Sequence, residues 1–133
     1  NLSGASLESA DLRDADLGRA NLSGAVISRA NVTRAELSRA DLSGATLVDV
    51  DGRRATFSRA RFVDASLNGS EFEGASLYLA NMSGASARNT SFRDASMDSV
   101  VFRDADLRGA DVEGAVFRNV DARGCRCPGD VPG

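Results

Sequence analysis

The chain repeats itself every five residues, without one insertion, from Asn1 to Cys125. Of the 25 repeats, 22 carry Leu, Ile, Val, Phe or Met at the second position, the exceptions being Gly52, Ala87 and Ala122. The fifth position is Ala in 19 of 25 and small in the rest: Val50, Ser70, Thr90, Val100, Val120 and Cys125. The first position is mostly Asp, Asn, Ser or Glu. A period of five excludes simple elements. In an α-helix, residues five apart spiral around the axis instead of forming a stripe. In a straight strand, odd spacing sends successive apolar residues to opposite faces. The backbone must therefore turn once per repeat, with the second and fifth residues inside and the third and fourth at the corner.

A second period sets how many corners close a coil. Leu2-Ser3-Gly4-Ala5 returns at Leu22–Ala25 and Leu42–Ala45, and Arg recurs at 19, 39 and 59. The fifth-position exceptions Val50, Ser70 and Thr90 are also twenty apart. Twenty residues are four repeats, so the cross-section is a square with like residues stacked in columns. Six coils at the roughly 4.8 Å strand spacing give a rod roughly 30 Å long. Gly at the fourth position fits a type II turn, whose third residue has φ > 0. Asp, Arg or Ser there predicts a different turn. Gly52 leaves a gap in its column, between Val32 and Phe72, into which Phe57, Phe62 or Phe72 is expected to lean. Ala87, between Leu67 and Leu107, is a second expected gap.

Tandem Ala-(Asp/Asn)-Leu-x-x, held over 125 of 133 residues, resembles the pentapeptide repeat family. The resemblance implies an all-β fold, a right-handed quadrilateral parallel β-helix of about six coils with four repeats each. Leu2, Leu7, Leu12, Leu17 and their successors match the family's central position, and Ala5, Ala10 and Ala15 its small inward position. The expected division is a β-helix over 1–129 and a tail over 130–133, where Pro128 and Pro132 cannot donate to a ladder. Some members of the family resemble duplex DNA in size and charge, bind type II topoisomerases such as DNA gyrase, and confer quinolone resistance.

Composition narrows the chemistry. There is no His, which removes the commonest general base and metal ligand. An uninterrupted rod offers no loops from which to build a cleft, so no enzyme, cofactor or metal site is expected. With 16 basic and 19 acidic residues, net −3, the chain lacks the basic excess of a nucleic-acid binder. No apolar run approaches the roughly 18 residues that suggest a membrane span. Cys125 and Cys127 are expected to be reduced, small core residues closing the stack, because a Cys-x-Cys pair rarely bridges well. The expected location is the cytoplasm. All-Arg usage and Ala richness fit a high-GC bacterium. The chain starts without Met, already inside the pattern, which reads as a fragment, and uncovered strand edges at the ends predict end-to-end self-association.

The surface holds three candidate features. Outward residues on the face begun by the third repeat of each coil net −3, with Asp11, Asp51, Glu71 and Asp111 in one column. Duplex DNA holds about 18 charges over 30 Å, so this face is a thin imitation of it. Tyr78 and Leu79 form an apolar corner amid Ser58, Arg59, Asp98 and Ser99 and are the candidate anchor for a protein partner. Asn1, Asn21, Asp41, Asn81 and their neighbouring serines form a regular polar column, which turn chemistry already explains. The function expected is a non-catalytic scaffold or protein–protein interaction module within a larger bacterial protein. A DNA-mimicking gyrase modulator is the alternative.

Overall fold

The computed structural model describes residues 1–132. The chain winds as a four-sided coil in which the first residue of each repeat pairs in parallel with the residue twenty positions on, from Ser6↔Val26 to Asp106↔Arg126. Only on one side do these pairings lengthen into named strands, β1 (Ser96–Asp98) and β2 (Val116–Arg118), with Met97 opposite Phe117.

Most repeats account for their backbone donors in the same way. The second-position N–H donates to the first-position carbonyl of the next coil, as Leu22 does to Asp41 at 2.8 Å. The fourth-position N–H donates to the third-position carbonyl of the next coil, as Arg39 does to Ser58 at 2.8 Å. The first-position N–H reaches back, as Asp41 does to Ala20 at 2.9 Å, and the fifth closes the turn, as Ala45 does to Leu42 at 3.0 Å. That leaves the third-position N–H, which an Asp or Asn at the first position accepts: Asn1 Oδ1 from Ser3, Asp41 Oδ1 from Ser43 and Asn81 Oδ1 from Ser83, each at 3.0 Å. This Asx turn is the physical reason for Asp and Asn at the first position.

All 25 fourth-position residues, from Gly4 to Gly124, have positive φ. Positive φ is therefore not confined to the Gly corners. Asp14, Arg39 and Leu79 (φ 60°, 62° and 59°) turn as glycine does. Such a conformation costs a side-chain-bearing residue roughly 1–2 kcal/mol. It is held because it aims the fourth N–H along the rod, into the next coil's carbonyl. Glycine is needed more strictly at five corners where the residue one coil earlier is Asp or Asn. A Cβ on Gly84 would collide with Asp64 Oδ1, and the pairs Asp49/Gly69, Asn89/Gly109, Asp94/Gly114 and Asp104/Gly124 repeat the arrangement.

The core is one column of central side chains walled by the fifth-position residues. Leu22, Leu42, Phe57, Phe62, Met82, Phe92 and Phe102 are fully enclosed. Phe72 is the aromatic that leans into the gap at Gly52, packed edge-on to Phe57 (centroids 5.5 Å) and stacked on Phe92 (5.8 Å, 14°). Ala87 is enclosed. Two fifth-position exceptions are hydroxyls inside the wall. Ser70 Oγ accepts from the Val50 N–H at 2.9 Å and donates to the Leu47 carbonyl, standing between the two groups that close that turn elsewhere. Thr90 Oγ1 donates to the Leu67 carbonyl at 2.8 Å.

The two ends differ. Leu2, Leu7, Leu12 and Leu17 are only partly covered. At the other end Val131 is buried and joins the core cluster, its N–H donating to the Pro128 carbonyl at 3.0 Å. Cys125 and Cys127 pack against that cluster, as expected, but they are joined as a disulfide with Cα atoms 5.3 Å apart. That corrects the expectation of free thiols. Fifth and second positions flank one residue of an extended segment and both point inward, so the spacing that makes them core residues also brings their sulfurs together.

Candidate interaction surface

No helix is long and apolar enough to cross a membrane. Among the described residues, no cluster of His, Cys, Asp or Glu is arranged to hold a metal ion. A surface depression of about 480 Å³ lies at a corner lined by Thr33, Arg34, Arg53, Arg54, Glu73 and Asp94. It holds charged groups and a hydroxyl but no nucleophile–base pair.

The acidic column stands where the spacing placed it, with Asp11, Asn31, Asp51, Glu71, Ser91 and Asp111 paired coil on coil. Its carboxylates are already engaged. Asp11 receives Arg13 Nε and Nη2 at 2.8 and 2.7 Å, and Asp51 receives Arg53 in the same two-pronged way at 2.9 and 2.7 Å. Asp111 takes the Glu113 N–H at 3.1 Å and Arg93 Nη1 at 3.0 Å. Only Glu71 is loosely held, 3.8 Å from Arg53 Nε. The hydrogen bond from Arg13 holds the Asp11 carboxyl down at about 2. Arg53 likewise lowers Asp51, and the Glu113 N–H followed by Arg93 lowers Asp111. The column is structural: its charges cap turns and bind this chain's own arginines.

Tyr78 and Leu79 occupy the corner of the fourth side. Tyr78 is exposed (42%), one of three large apolar residues so open, with Val26 and Val116 on other coils. Leu79 is half-buried. The Arg59 N–H donates to the Tyr78 carbonyl at 2.7 Å, so Arg59 lies directly one coil back. Arg39 and Arg19 continue the column, their N–H groups on Ser58 and Ser38 at 2.8 Å each.

The column of Arg19, Arg39 and Arg59 was visible in the sequence as a period, and what the period concealed is its electrostatics. Ten of the other 13 arginines have a carboxylate partner. At the third position an arginine folds back on the Asp two residues earlier, as Arg108 does on Asp106 and Arg123 on Asp121. At the fourth it reaches an acid one coil earlier, as Arg29 does to Glu8 and Arg34 to Asp14. Arg19, Arg39 and Arg59 have each other, Gly18, Ser38 and Ser58 as corner neighbours. None has a carboxylate oxygen within 4 Å among the described residues. The nearby acids are occupied: Asp16 accepts from the Gly18 N–H (3.1 Å) and Glu36 from the Ser38 N–H (2.7 Å). Asp41 accepts from the Ser43 N–H at 3.0 Å and faces Arg61 at 3.9 Å.

The model of pentapeptide repeats matches this chain with eight copies, over residues 1–39, 35–74, 55–94, 75–114 and 101–129. Among solved structures, the chain is similar to HetL, a pentapeptide repeat protein involved in heterocyst differentiation regulation in the cyanobacterium Nostoc sp. strain PCC 7120. The two are 32% identical over 96% of this chain and 61% of HetL, with a TM-score of 0.60. A pentapeptide repeat protein of the Arabidopsis thaliana thylakoid lumen is 32% identical over 69% of this chain and 63% of its own, TM-score 0.64. QnrB1, a plasmid-mediated fluoroquinolone resistance protein, shares the fold at 22% identity over 93% of this chain and 65% of its own, TM-score 0.67. The chain thus spans less than two thirds of the length of each. No curated protein matches.

Proposed function

The chain belongs to the pentapeptide repeat family of right-handed quadrilateral β-helices, and from that premise we propose that it works without catalysis, as a stiff solenoid that presents a protein-binding surface. The observation that carries this reading is the contrast between its two charged columns. The acids cap turns and bind the chain's own arginines, whereas Arg19, Arg39 and Arg59 are left free beside Tyr78. Membership in a larger bacterial protein is part of the proposal, as is end-to-end association through the partly open Leu2, Leu7, Leu12 and Leu17. No direct nucleic-acid, cofactor or membrane partner is proposed. Cytoplasmic placement is proposed too, with the Cys125–Cys127 bond as its counterweight, since disulfides persist mainly in oxidising compartments.

The DNA-mimic reading competes with this one, because QnrB1 is a fluoroquinolone resistance protein and shares the fold. It needs a continuous negative surface, and the paired state of Asp11, Asp51 and Asp111 weighs against one. A DNA gyrase supercoiling assay separates the two. The rod is expected to leave supercoiling and quinolone-induced cleavage unchanged well above low micromolar concentration. Inhibition that Glu71→Lys with Glu73→Lys abolishes would establish the mimic instead; these two acids cap no turn, so the variant keeps its coils.

A further inference from the structure

We propose that the corner formed by Arg19, Arg39, Arg59 and Tyr78 is a docking site for a short acidic peptide segment, lying extended along the rod axis. The proposal deepens the interaction-module reading and rests on it.

The argument begins with an imbalance. Three arginines are stacked coil on coil, their backbones at the roughly 4.8 Å spacing of paired strands, and none has a carboxylate oxygen within 4 Å among the described residues. Like charges so arranged repel. The fold holds them there regardless, because their backbones are fixed by the ladder bonds to Ser38, Ser58 and Tyr78. Arginine presents five donors in a rigid fork that matches a carboxylate two-to-two, and on this corner all those donors face solvent. Ten of the 16 arginines have carboxylate partners within 4 Å. The other three without one, Arg54, Arg118 and Arg126, sit singly on other corners or coils.

Dimensions and surroundings select the occupant. Three arginines span roughly 10 Å, and an extended chain advances roughly 3.4 Å per residue, so three or four residues cover the column. At the end of the column Tyr78 is open and Leu79 half-open, which suits an apolar side chain next to the acids. A nucleic acid fits less well, because without these three arginines the chain nets −6 and a long polyanion would run onto that field. A polyphosphate has no use for the apolar end.

The test measures anisotropy of a fluorescein-labelled peptide of four glutamates followed by a leucine, against the full chain at low salt. Separate arms use a matching peptide of four lysines and a leucine, inorganic triphosphate as competitor, and a labelled 20-base-pair duplex. The acidic peptide is expected to bind, to weaken as salt rises, and to lose about tenfold or more in affinity in the Arg19→Gln/Arg39→Gln/Arg59→Gln variant. Tyr78→Ala is expected to weaken the leucine-bearing peptide and leave a plain glutamate peptide unchanged. The triple variant should denature no earlier than the parent, since it removes repulsion and no bond. No binding of the acidic peptide, equal binding by the triple variant, or tighter binding of the duplex or triphosphate would each overturn the site. Gyrase inhibition would overturn the interaction-module reading itself, so the two failures are told apart.

Discussion

Phe72 occupies the space that Gly52 vacates: a Cβ on Gly52 would lie 2.6 Å from both Cδ1 and Cε1 of the ring. The ring cannot retreat freely, because Phe57 meets it edge-on and Phe92 stacks behind it. Gly52→Ala is therefore expected to destabilise the rod by about 1–3 kcal/mol through overpacking. Adding Phe72→Leu should cost less than the sum of the two single changes, because the new methyl fills part of the space the ring leaves. Denaturation midpoints of the four proteins in the cycle check this.

Ser70 holds open a turn that the rest of the chain closes directly. In Ser70→Ala, the Val50 N–H and the Leu47 carbonyl lose their shared hydroxyl. They can then bond to each other, as Ala45 bonds to Leu42 at 3.0 Å. The expected cost is about 1 kcal/mol, the low end for a buried pair losing its partner. Ser70→Val fills the same volume with an apolar branch, obstructs that closure, and should cost more. Midpoints, together with amide exchange at Val50, distinguish the two.

Asp64 and Gly84 form a matched pair across coils. Gly84→Ala is expected to cost about 1 kcal/mol from the positive φ alone, and more while Asp64 Oδ1 lies where the methyl must go. Asp64→Ser, placed first, should reduce that cost toward the backbone value. A double-mutant cycle by thermal denaturation reads the coupling.

Acid should loosen the rod in a defined window. Arg13 and Arg108 hold Asp11 and Asp106 down to about 2, from an ordinary 3.8. Depressed carboxyls stabilise the fold above their unfolded value, and the contribution disappears as pH falls through the folded one. Stability is expected to be flat from pH 7 to about 5 and to decline between about 4 and 2. In Arg108→Gln the decline should be shallower, which denaturation midpoints against pH will show.

The cysteine pair bridges a single intervening residue. Denatured but unreduced protein is expected to take up no thiol reagent, as mass spectrometry would report, and reduced protein two equivalents. Reduction should move the denaturation midpoint little, since the entropy removed from the unfolded chain is smallest for the shortest loops.

Period and residue size were enough to read the square coil. Leu2, Leu7 and Leu12 cannot all face inward unless the backbone turns between them, and columns twenty apart fix the number of sides. Phe72 leaning toward Gly52 was legible too, because a gap and a large neighbour in one column leave few alternatives. Left-handed arginine at Arg39 or Arg59 was not, because local propensity argues against it and only the ladder demand of the next coil overrides that preference. The charged faces were misleading for a similar reason. Summing charges along a face ignores which carboxylates are committed to a turn N–H, and Asp11 and Asp51 are committed twice over. The chemistry of the Arg19 column was present in the spacing but needed an inventory of partners. A fourth-position arginine pairs with an acid of its own corner one coil earlier, as Arg34 does with Asp14, and for Arg39 and Arg59 those places hold Gly18, Arg19, Ser38 and Arg39.

The pairing of first-position residues twenty apart has an arithmetical consequence for how such a chain can lengthen or shorten. Loss or gain of twenty residues removes or adds one storey and leaves each downstream column on its original wall. Loss of five keeps every residue inside or outside as before, yet turns everything downstream by a quarter of a revolution. Arg59 and Tyr78 would then stand over a different wall from Arg19. Loss of any number that is not a multiple of five turns the core outward. Variation in this rod is therefore quantised twice, in fives for folding and in twenties for keeping a binding face continuous.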